Sequence, residues 1–131
     1  MNIKKGIILG VALWILIFFE VSALMFGFKL KQEDINYFFI HLVFLIIFVM
    51  IIGFLYFKNE NKKKVNNLRL LRLKEGLSIG LVMVVVGIIL DSAITIPLFM
   101  SFDYSFLTRL DILLGEAFTV IFMGVSGLIK Q

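Results

Sequence analysis

The chain has 131 residues, of which 61% are hydrophobic and 17% are charged, and its mean hydropathy is +1.07. A soluble domain of this size leaves too much of its surface in water to hide so many apolar side chains. The composition therefore excludes a soluble globular protein and predicts a membrane protein. The chain has no cysteine, which also excludes disulfides, thiol redox chemistry and thiolate metal sites.

Four apolar stretches are long enough to cross the hydrocarbon core of a bilayer, which takes about 20 helical residues. They cover residues 6–28, 37–57, 76–100 and 112–129. The predicted fold is all-α: a polytopic membrane protein that forms a bundle of four transmembrane helices. The whole chain, 1–131, is expected to be one membrane domain.

The N-terminal segment also has the features of a secretory signal peptide. Lys4 and Lys5 precede an apolar core, and Val21-Ser22-Ala23 has the small residues of a cleavage site. The apolar run, however, continues beyond that site through "LMFGF". We therefore expect an uncleaved first membrane helix.

The distribution of Lys and Arg predicts the orientation of the chain. Ten of the 13 bases lie before the first stretch, in the connection 58–75 or after the last stretch, and only Lys29, Lys31 and Arg109 lie on the opposite side. By the positive-inside rule, both termini are expected in the cytoplasm, with the chain as a multi-pass protein of the plasma membrane. Since the positive charge is concentrated in one connection, it does not indicate a nucleic-acid partner.

That basic connection ends in "VNNLRLLRLKEG", which places leucines on one side and Arg69, Arg72 and Lys74 largely on another. The pattern is typical of a basic amphipathic helix at a membrane surface, and we expect it to lead into the third stretch. One interpretation is recognition of anionic lipid headgroups. The other is a topology anchor that only follows the positive-inside bias.

Four ionisable residues within the stretches form the candidate proton and cation site: Glu20, His41, Asp91 and Glu116. A charge at the bilayer centre costs about 2.5 to 3.5 kcal/mol on insertion scales, so such residues indicate function. Since no Lys or Arg lies inside a stretch, the carboxylates are expected to be protonated or to recruit H⁺, Na⁺ or an organic amine. The alternative is structural: protonated acids that hydrogen-bond to Ser22, Ser92, Thr95 or Thr119. No metal site or cofactor is expected, because no metal-ligand spacing is present.

Helical spacing predicts that the acids face the interior of the bundle, among small residues. Residues seven apart point nearly the same way, so Glu20 shares a line with Gly6 and Gly27, and Asp91 shares a face with Gly80 and Gly87. Small residues separated by three others let membrane helices approach closely. Close packing is therefore expected at five glycines: Gly6, Gly10, Gly76, Gly80 and Gly87.

Pro97 lies six residues beyond Asp91, near the end of the third stretch. Proline removes a backbone hydrogen bond and bends a helix, which frees carbonyls near Ala93 and Ile94. Asp91 and Pro97 together predict a polar, bent outer half of the third helix.

Two segments of the chain match at an offset of 70, "KKGIILG" and "KEGLSIG", with Gly6 over Gly76 and Gly10 over Gly80. One interpretation is a duplicated two-helix hairpin, a parallel repeat. The other is chance, since apolar low-complexity sequence produces such matches easily.

The third stretch, "EGLSIGLVMVVVGIILDSAITIPLF", resembles small prokaryotic four-span membrane proteins of unknown function, which implies the fold and no activity. Glu20 in "FFEVSALMF" is similar to the membrane-embedded glutamate in the first span of small multidrug resistance transporters. That resemblance implies that Glu20 is a shared proton and cation site. The basic central connection and the additional His41, Asp91 and Glu116 depart from the transporter pattern, so the chain is not assigned to that family.

Two functions are consistent with these features. The first is a small integral membrane protein that binds or transports a proton-coupled cation or cationic solute, as a homo-oligomer. The alternative is a non-catalytic regulatory, assembly or immunity-type subunit whose acids and glycines dock on the helices of a membrane partner. An enzyme is not expected, because the sequence has no nucleophile with a base, metal-ligand spacing or phosphate loop.

Overall fold

The computed structural model describes residues 1–58 and 67–129, and the secondary structure of these ranges is entirely helical. Four helices are long and apolar enough to cross a membrane: helix 1 (Ile3–Gly27), helix 2 (Ile35–Phe57), helix 3 (Leu68–Phe99) and helix 4 (Leu110–Ile129). The predicted all-α class with four such helices is confirmed. The predicted bounds differ most at helix 3, which begins at Leu68 instead of residue 76.

The basic amphipathic segment leads directly into helix 3, as the sequence predicts. From Leu68 onward this segment is continuous with helix 3. Arg72 is only 5% exposed, and a Cβ added at Gly127 of helix 4 would lie 2.5 Å from its carbonyl oxygen. The described part of the segment therefore belongs to the bundle. Residues 59–66 of the predicted connection, and Lys130, lie outside the described residues.

The four helices form a ring in the order 1, 2, 4, 3. Helix 1 packs mainly against helices 2 and 3, and helix 4 packs mainly against the same two. A pair of hairpins related by a two-fold axis along the bundle would place helices 1 and 3 at opposite corners. Because helices 1 and 3 are neighbours, the sequence match at Gly6/Gly76 is not accompanied by a two-fold arrangement.

Glycines bring helices 3 and 4 into backbone contact in one half of the bundle. A Cβ added at Gly76 would lie 2.5 Å from the carbonyl oxygen of Met123 and 2.9 Å from the Cα of Gly124. A Cβ at Gly80 would lie 2.8 Å from the Cα of Val120. Such distances leave no room for a side chain, so glycine is required at both positions.

Helix 1 packs on helix 3 in the same half, again at glycines. A Cβ at Gly6 would lie 3.0 Å from Ile79 Cδ1, and one at Gly10 would lie 3.2 Å from the Cα of Met83. Gly87 differs from the other four glycines, because a Cβ there would meet no heavy atom within 4 Å. The expected packing role is therefore wrong for Gly87, since the helices separate at this level around a cavity that it lines.

A polar cluster closes the glycine-packed end of the bundle. The Tyr56 hydroxyl donates to Glu75 Oε1 at 2.7 Å and accepts from the backbone N–H of Asn2 at 3.0 Å. The Lys5 ammonium donates to the Tyr56 carbonyl and lies 4.7 Å from the centroid of its ring. These contacts join helices 1, 2 and 3 at one end.

The outer surface is apolar, as a lipid-facing surface should be. Ile8, Phe19, Leu81 and Ile121 are each more than half exposed. A soluble protein rarely exposes such a continuous apolar surface. The buried core lies inside the ring, mostly in the glycine-packed half: Leu13, Leu45, Val49, Ile52, Tyr56, Phe57, Ile79, Met83 and Met123.

A turn of π-helix, Asp91–Thr95, interrupts helix 3 just before Pro97. The N–H of Ile96 donates to the carbonyl of Asp91, five residues earlier. The wider turn accommodates the proline ring, which would otherwise clash with the carbonyl of Ala93. Asp91 is the first residue of this turn.

We expect Gly76→Ala to lower the free energy of unfolding by about 1–3 kcal/mol, because the added methyl overlaps the backbone of helix 4. Gly87→Ala is the matched control, and we expect it to change stability by less than about 0.5 kcal/mol, since its methyl meets open space. Denaturant unfolding in detergent measures both. Equal losses in the two variants would contradict the assignment of the close contact to Gly76.

Candidate functional site

A cavity of about 360 Å³ lies between the four helices in the half opposite the glycine contacts. Each helix contributes at least one polar side chain to its wall: Trp14 from helix 1, His41 from helix 2, Asp91 from helix 3 and Glu116 from helix 4. This volume is within the range of pockets that hold small organic molecules, about 300–1,000 Å³.

Aromatic rings form much of the cavity wall: Trp14, Phe18, Phe26, Tyr37, Phe99 and Phe106. Trp14 and Phe18 stack with centroids 5.5 Å apart, and Phe18 and Phe99 lie 5.6 Å apart at a tilt. Aromatic faces carry partial negative charge and attract cations, most strongly in the case of Trp. The wall is therefore suited to an apolar molecule with a positive charge.

Asp91 is held at this wall by two hydrogen bonds. The Trp14 indole N–H donates to Oδ1 at 2.8 Å, across from helix 1, and the Thr95 hydroxyl donates to the same oxygen at 2.7 Å. Both donors use Oδ1, which leaves Oδ2 available to a ligand. The aspartate is thereby fixed in position without a basic partner.

Glu20 and His41 form a pair between helices 1 and 2. His41 Nδ1 and Glu20 Oε2 are 2.7 Å apart, and the side chains are 14% and 6% exposed respectively. The imidazole stacks on Tyr37, with centroids 5.8 Å apart. His41 lines the cavity and Glu20 does not, so the glutamate reaches the cavity only through the imidazole.

Glu116 lines the cavity from helix 4, and the hydroxyls expected as its neighbours bond elsewhere. Thr119 donates to the carbonyl of Gly115 at 2.9 Å, and Ser22 donates to the carbonyl of Phe18 at 2.7 Å. Both hydroxyls therefore bond to carbonyls of their own helices. Of the hydroxyl partners proposed for the acids, Thr95 is the one that bonds to a carboxylate, on its own helix.

Arg109 links two residues at the mouth of the cavity, Gln32 and Asp111, by hydrogen bonds. Its Nε and Nη2 donate to the two oxygens of Asp111, at 3.1 and 2.8 Å, and its Nη1 donates to Gln32 Oε1 at 2.7 Å. These bonds tie the connection between helices 1 and 2 to the start of helix 4. Since Arg109 neutralises Asp111, Asp91 and Glu116 are the acids that give the cavity its negative charge.

Sequence reasoning missed Trp14, Gln32 and the bridging role of Arg109. Arg109 was assigned only as one of the outer bases, because a distance of 77 residues separates it from Gln32. Trp14 carried one signal: it is the only tryptophan in the chain and lies six residues before Glu20. Its partner Asp91 is also 77 residues away, which spacing within one helix cannot indicate.

The charged groups are distributed around the cavity instead of converging on one point. Among residues 1–58 and 67–129, no group of three or more His, Asp or Glu side chains is placed to hold a metal ion. None of the described residues that line the cavity is Lys or Arg. The geometry is therefore that of an anionic, aromatic pocket in which the His41 imidazole is the basic group among the described lining residues.

Comparison of the chain with protein-family models, curated proteins and solved structures gives no match. The resemblances to small four-span proteins and to small multidrug resistance transporters stay predictions. Because a four-helix bundle serves many functions, the function has to be argued from the site.

We expect Trp14→Phe to destabilise the protein by about 1 kcal/mol, because it removes the interhelical donor to Asp91 and keeps an aromatic ring in place. Thr95→Val removes a donor to the same oxygen but leaves helix 1 bound to helix 3. We expect it to cost less. Unfolding in detergent compares the two variants, and a larger loss for Thr95→Val would contradict the importance of the interhelical bond.

Proposed function

We propose that this chain is a small integral membrane protein that binds an organic cation in the cavity between its helices, with Asp91 and Glu116 as counter-charges. The observation that carries the proposal is the combination of two carboxylates without an ion-pair partner in the wall, no described Lys or Arg among the lining residues, and an aromatic wall. We propose that the protein lies in the plasma membrane with both termini in the cytoplasm, as the distribution of Lys and Arg predicts. The resemblance to small four-span proteins implies a prokaryotic cell.

Electrostatics favours a positively charged occupant. A carboxylate in an apolar surrounding is costly unless it is protonated or paired. Asp91 has neutral donors, and no described Lys or Arg lines the cavity beside Glu116. A bound cation would supply the missing charge to both acids.

The wall favours an organic cation over Na⁺ or a divalent ion. Hard metal ions take several oxygen ligands arranged around one point. Here the acids lie on different helices, and stacked rings such as Trp14 and Phe18 occupy much of the remaining wall. Aromatic faces bind quaternary ammonium groups well because these give up little hydration energy.

The difference between the open half and the glycine-packed half of the bundle supports cation binding, before transport, as the primary function. With the predicted orientation, the cavity belongs to the outer half and the glycine contacts of Gly76 and Gly80 close the cytoplasmic half. Transport would require those backbone contacts to separate, in this chain or in a homo-oligomer. We therefore propose binding first, with transport as a further step of the same site.

Titration calorimetry with benzyltrimethylammonium tests the proposal. This probe has a permanent charge and an aromatic ring, and we expect saturable binding to the purified protein in detergent. Asp91→Asn and Glu116→Gln should each weaken binding about tenfold, because each removes one counter-charge. Glu33→Gln removes an exposed acid outside the cavity, and we expect it to leave binding unchanged.

The uncharged analogue neopentylbenzene is the matched control ligand, since it replaces the nitrogen by carbon and keeps the shape. Its binding should be the same in the wild type and in both cavity variants. Absence of saturable binding of the cation, or equal affinities in wild type and variants, would contradict the proposal. That result would turn attention to the non-catalytic interaction subunit, tested by co-purification with a membrane partner.

A further inference from the structure

We infer that the Glu20–His41 pair is a proton site distinct from the cation site, and that a cation entering the cavity displaces a proton from this pair. The inference rests on the proposed function and adds to it the proton that is exchanged and the groups that hold it. It places the proton away from Asp91 and Glu116, on groups that the cation does not need to contact.

The pair is built to hold one exchangeable proton. A single hydrogen bond of 2.7 Å joins its members, and the Glu20 side chain is 6% exposed. Within the described part of the chain, Glu20 Oε1 is buried and has no hydrogen-bond partner. A buried carboxylate with one imidazole partner is neutral overall when the pair carries its extra proton and negative when it does not.

The imidazole connects this proton to the cavity. Its Nδ1 is engaged with Glu20, and its ring lies against Tyr37 and lines the cavity. The other ring nitrogen, Nε2, is therefore the atom that can exchange a proton with water in the cavity. Glu20 stabilises the protonated imidazole from the opposite side.

Charged and titratable groups surround His41 from every helix. Glu20 faces it from helix 1 and Tyr37 lies beside it on helix 2. Asp91 of helix 3 and Glu116 and Asp111 of helix 4 share its cavity, and Asp111 is neutralised by Arg109.

The two cavity acids that have no described Lys or Arg beside them, Asp91 and Glu116, couple the proton to the cation. While the cavity is empty, Asp91 and Glu116 favour positive charge on the imidazole across the cavity. A bound cation neutralises them and repels that charge, so the proton leaves Nε2 for water. In the exchange, one cation binds and up to one proton is released. By linkage, a proton on the pair lowers the affinity for the cation by the same factor by which the bound cation lowers the affinity of the pair for the proton.

Calorimetry of benzyltrimethylammonium binding in two buffers of different ionisation enthalpy counts the protons released. Because the probe itself cannot titrate, any released proton comes from the protein. We expect the wild type to release a proton on binding and to bind about tenfold more weakly at about pH 5.5 than at about pH 8. His41→Gln should bind the cation without release and with a flatter pH dependence between these values, and Glu20→Gln should reduce the release.

Glu116→Gln is the discriminating variant. It should weaken binding yet still release the proton, because the pair is intact. If Glu116→Gln or Asp91→Asn abolishes release and His41→Gln retains it, the cavity acids hold the proton and the inference is overturned. Cation binding without any proton release overturns the inference alone, whereas absence of binding at every pH overturns the proposed function with it.

An NMR measurement on the unmodified protein tests the inference without depending on whether the variants fold. His41 is the only histidine of the chain, so ¹⁵N-labelled imidazole gives one set of signals. At a pH where both forms are populated, adding benzyltrimethylammonium should convert signal from the protonated to the neutral form. An unchanged ratio at saturating cation would overturn the inference.

Discussion

The contact of Gly76 with the backbone of Met123 and Gly124 determines the shape of the bundle. Between helices in lipid no hydrophobic force acts, so association depends on close van der Waals packing and interhelical hydrogen bonds. Glycines supply that packing at one end of helices 1, 3 and 4. At the other end, bulky residues such as Trp14 and Phe99 stand between the helices, and the helices separate. One closed half and one open half follow from this distribution of side-chain size.

Polar contacts between helices stabilise the open half, whereas close packing at glycines stabilises the closed half. Trp14 bonds to Asp91 between helices 1 and 3, the Glu20–His41 pair joins helices 1 and 2, and Arg109 joins Gln32 to Asp111 at the mouth. Buried polar groups stabilise a membrane protein only when they are paired, and incomplete pairing is costly. Asp91 and Glu116 face a cavity that no described Lys or Arg lines, which is a cost to folding that a bound cation would offset.

Hydropathy predicted the four helices, and helical spacing predicted that the acids face the interior of the bundle, where Asp91 and Glu116 line the cavity. Both signals are local to one helix. The sequence indicated His41 together with the acids as one candidate site, but spacing along a helix does not determine which acid the imidazole contacts. The same limit explains Gly87, which carries the small-residue signal of Gly80 but lies where the helices have separated.

Pro97 indicated a bend in helix 3, and its form as a turn of π-helix depends on how the chain accommodates the proline ring. Arg72 carried the signal of a surface residue, yet close packing of its backbone against helix 4 buries it.

The most direct test of the open half is the reactivity of a single cysteine at Gly87, in a chain that has no other cysteine. Gly87→Cys has room for its side chain and lines the cavity, and Gly27→Cys, also in open space but outside the cavity lining, serves as the reference. A small charged thiol reagent reacts only with a thiol that water reaches. We expect that Gly87→Cys reacts and that benzyltrimethylammonium slows its reaction but not that of Gly27→Cys. An inert thiol at position 87, or a reaction rate that the cation leaves unchanged, would contradict the account.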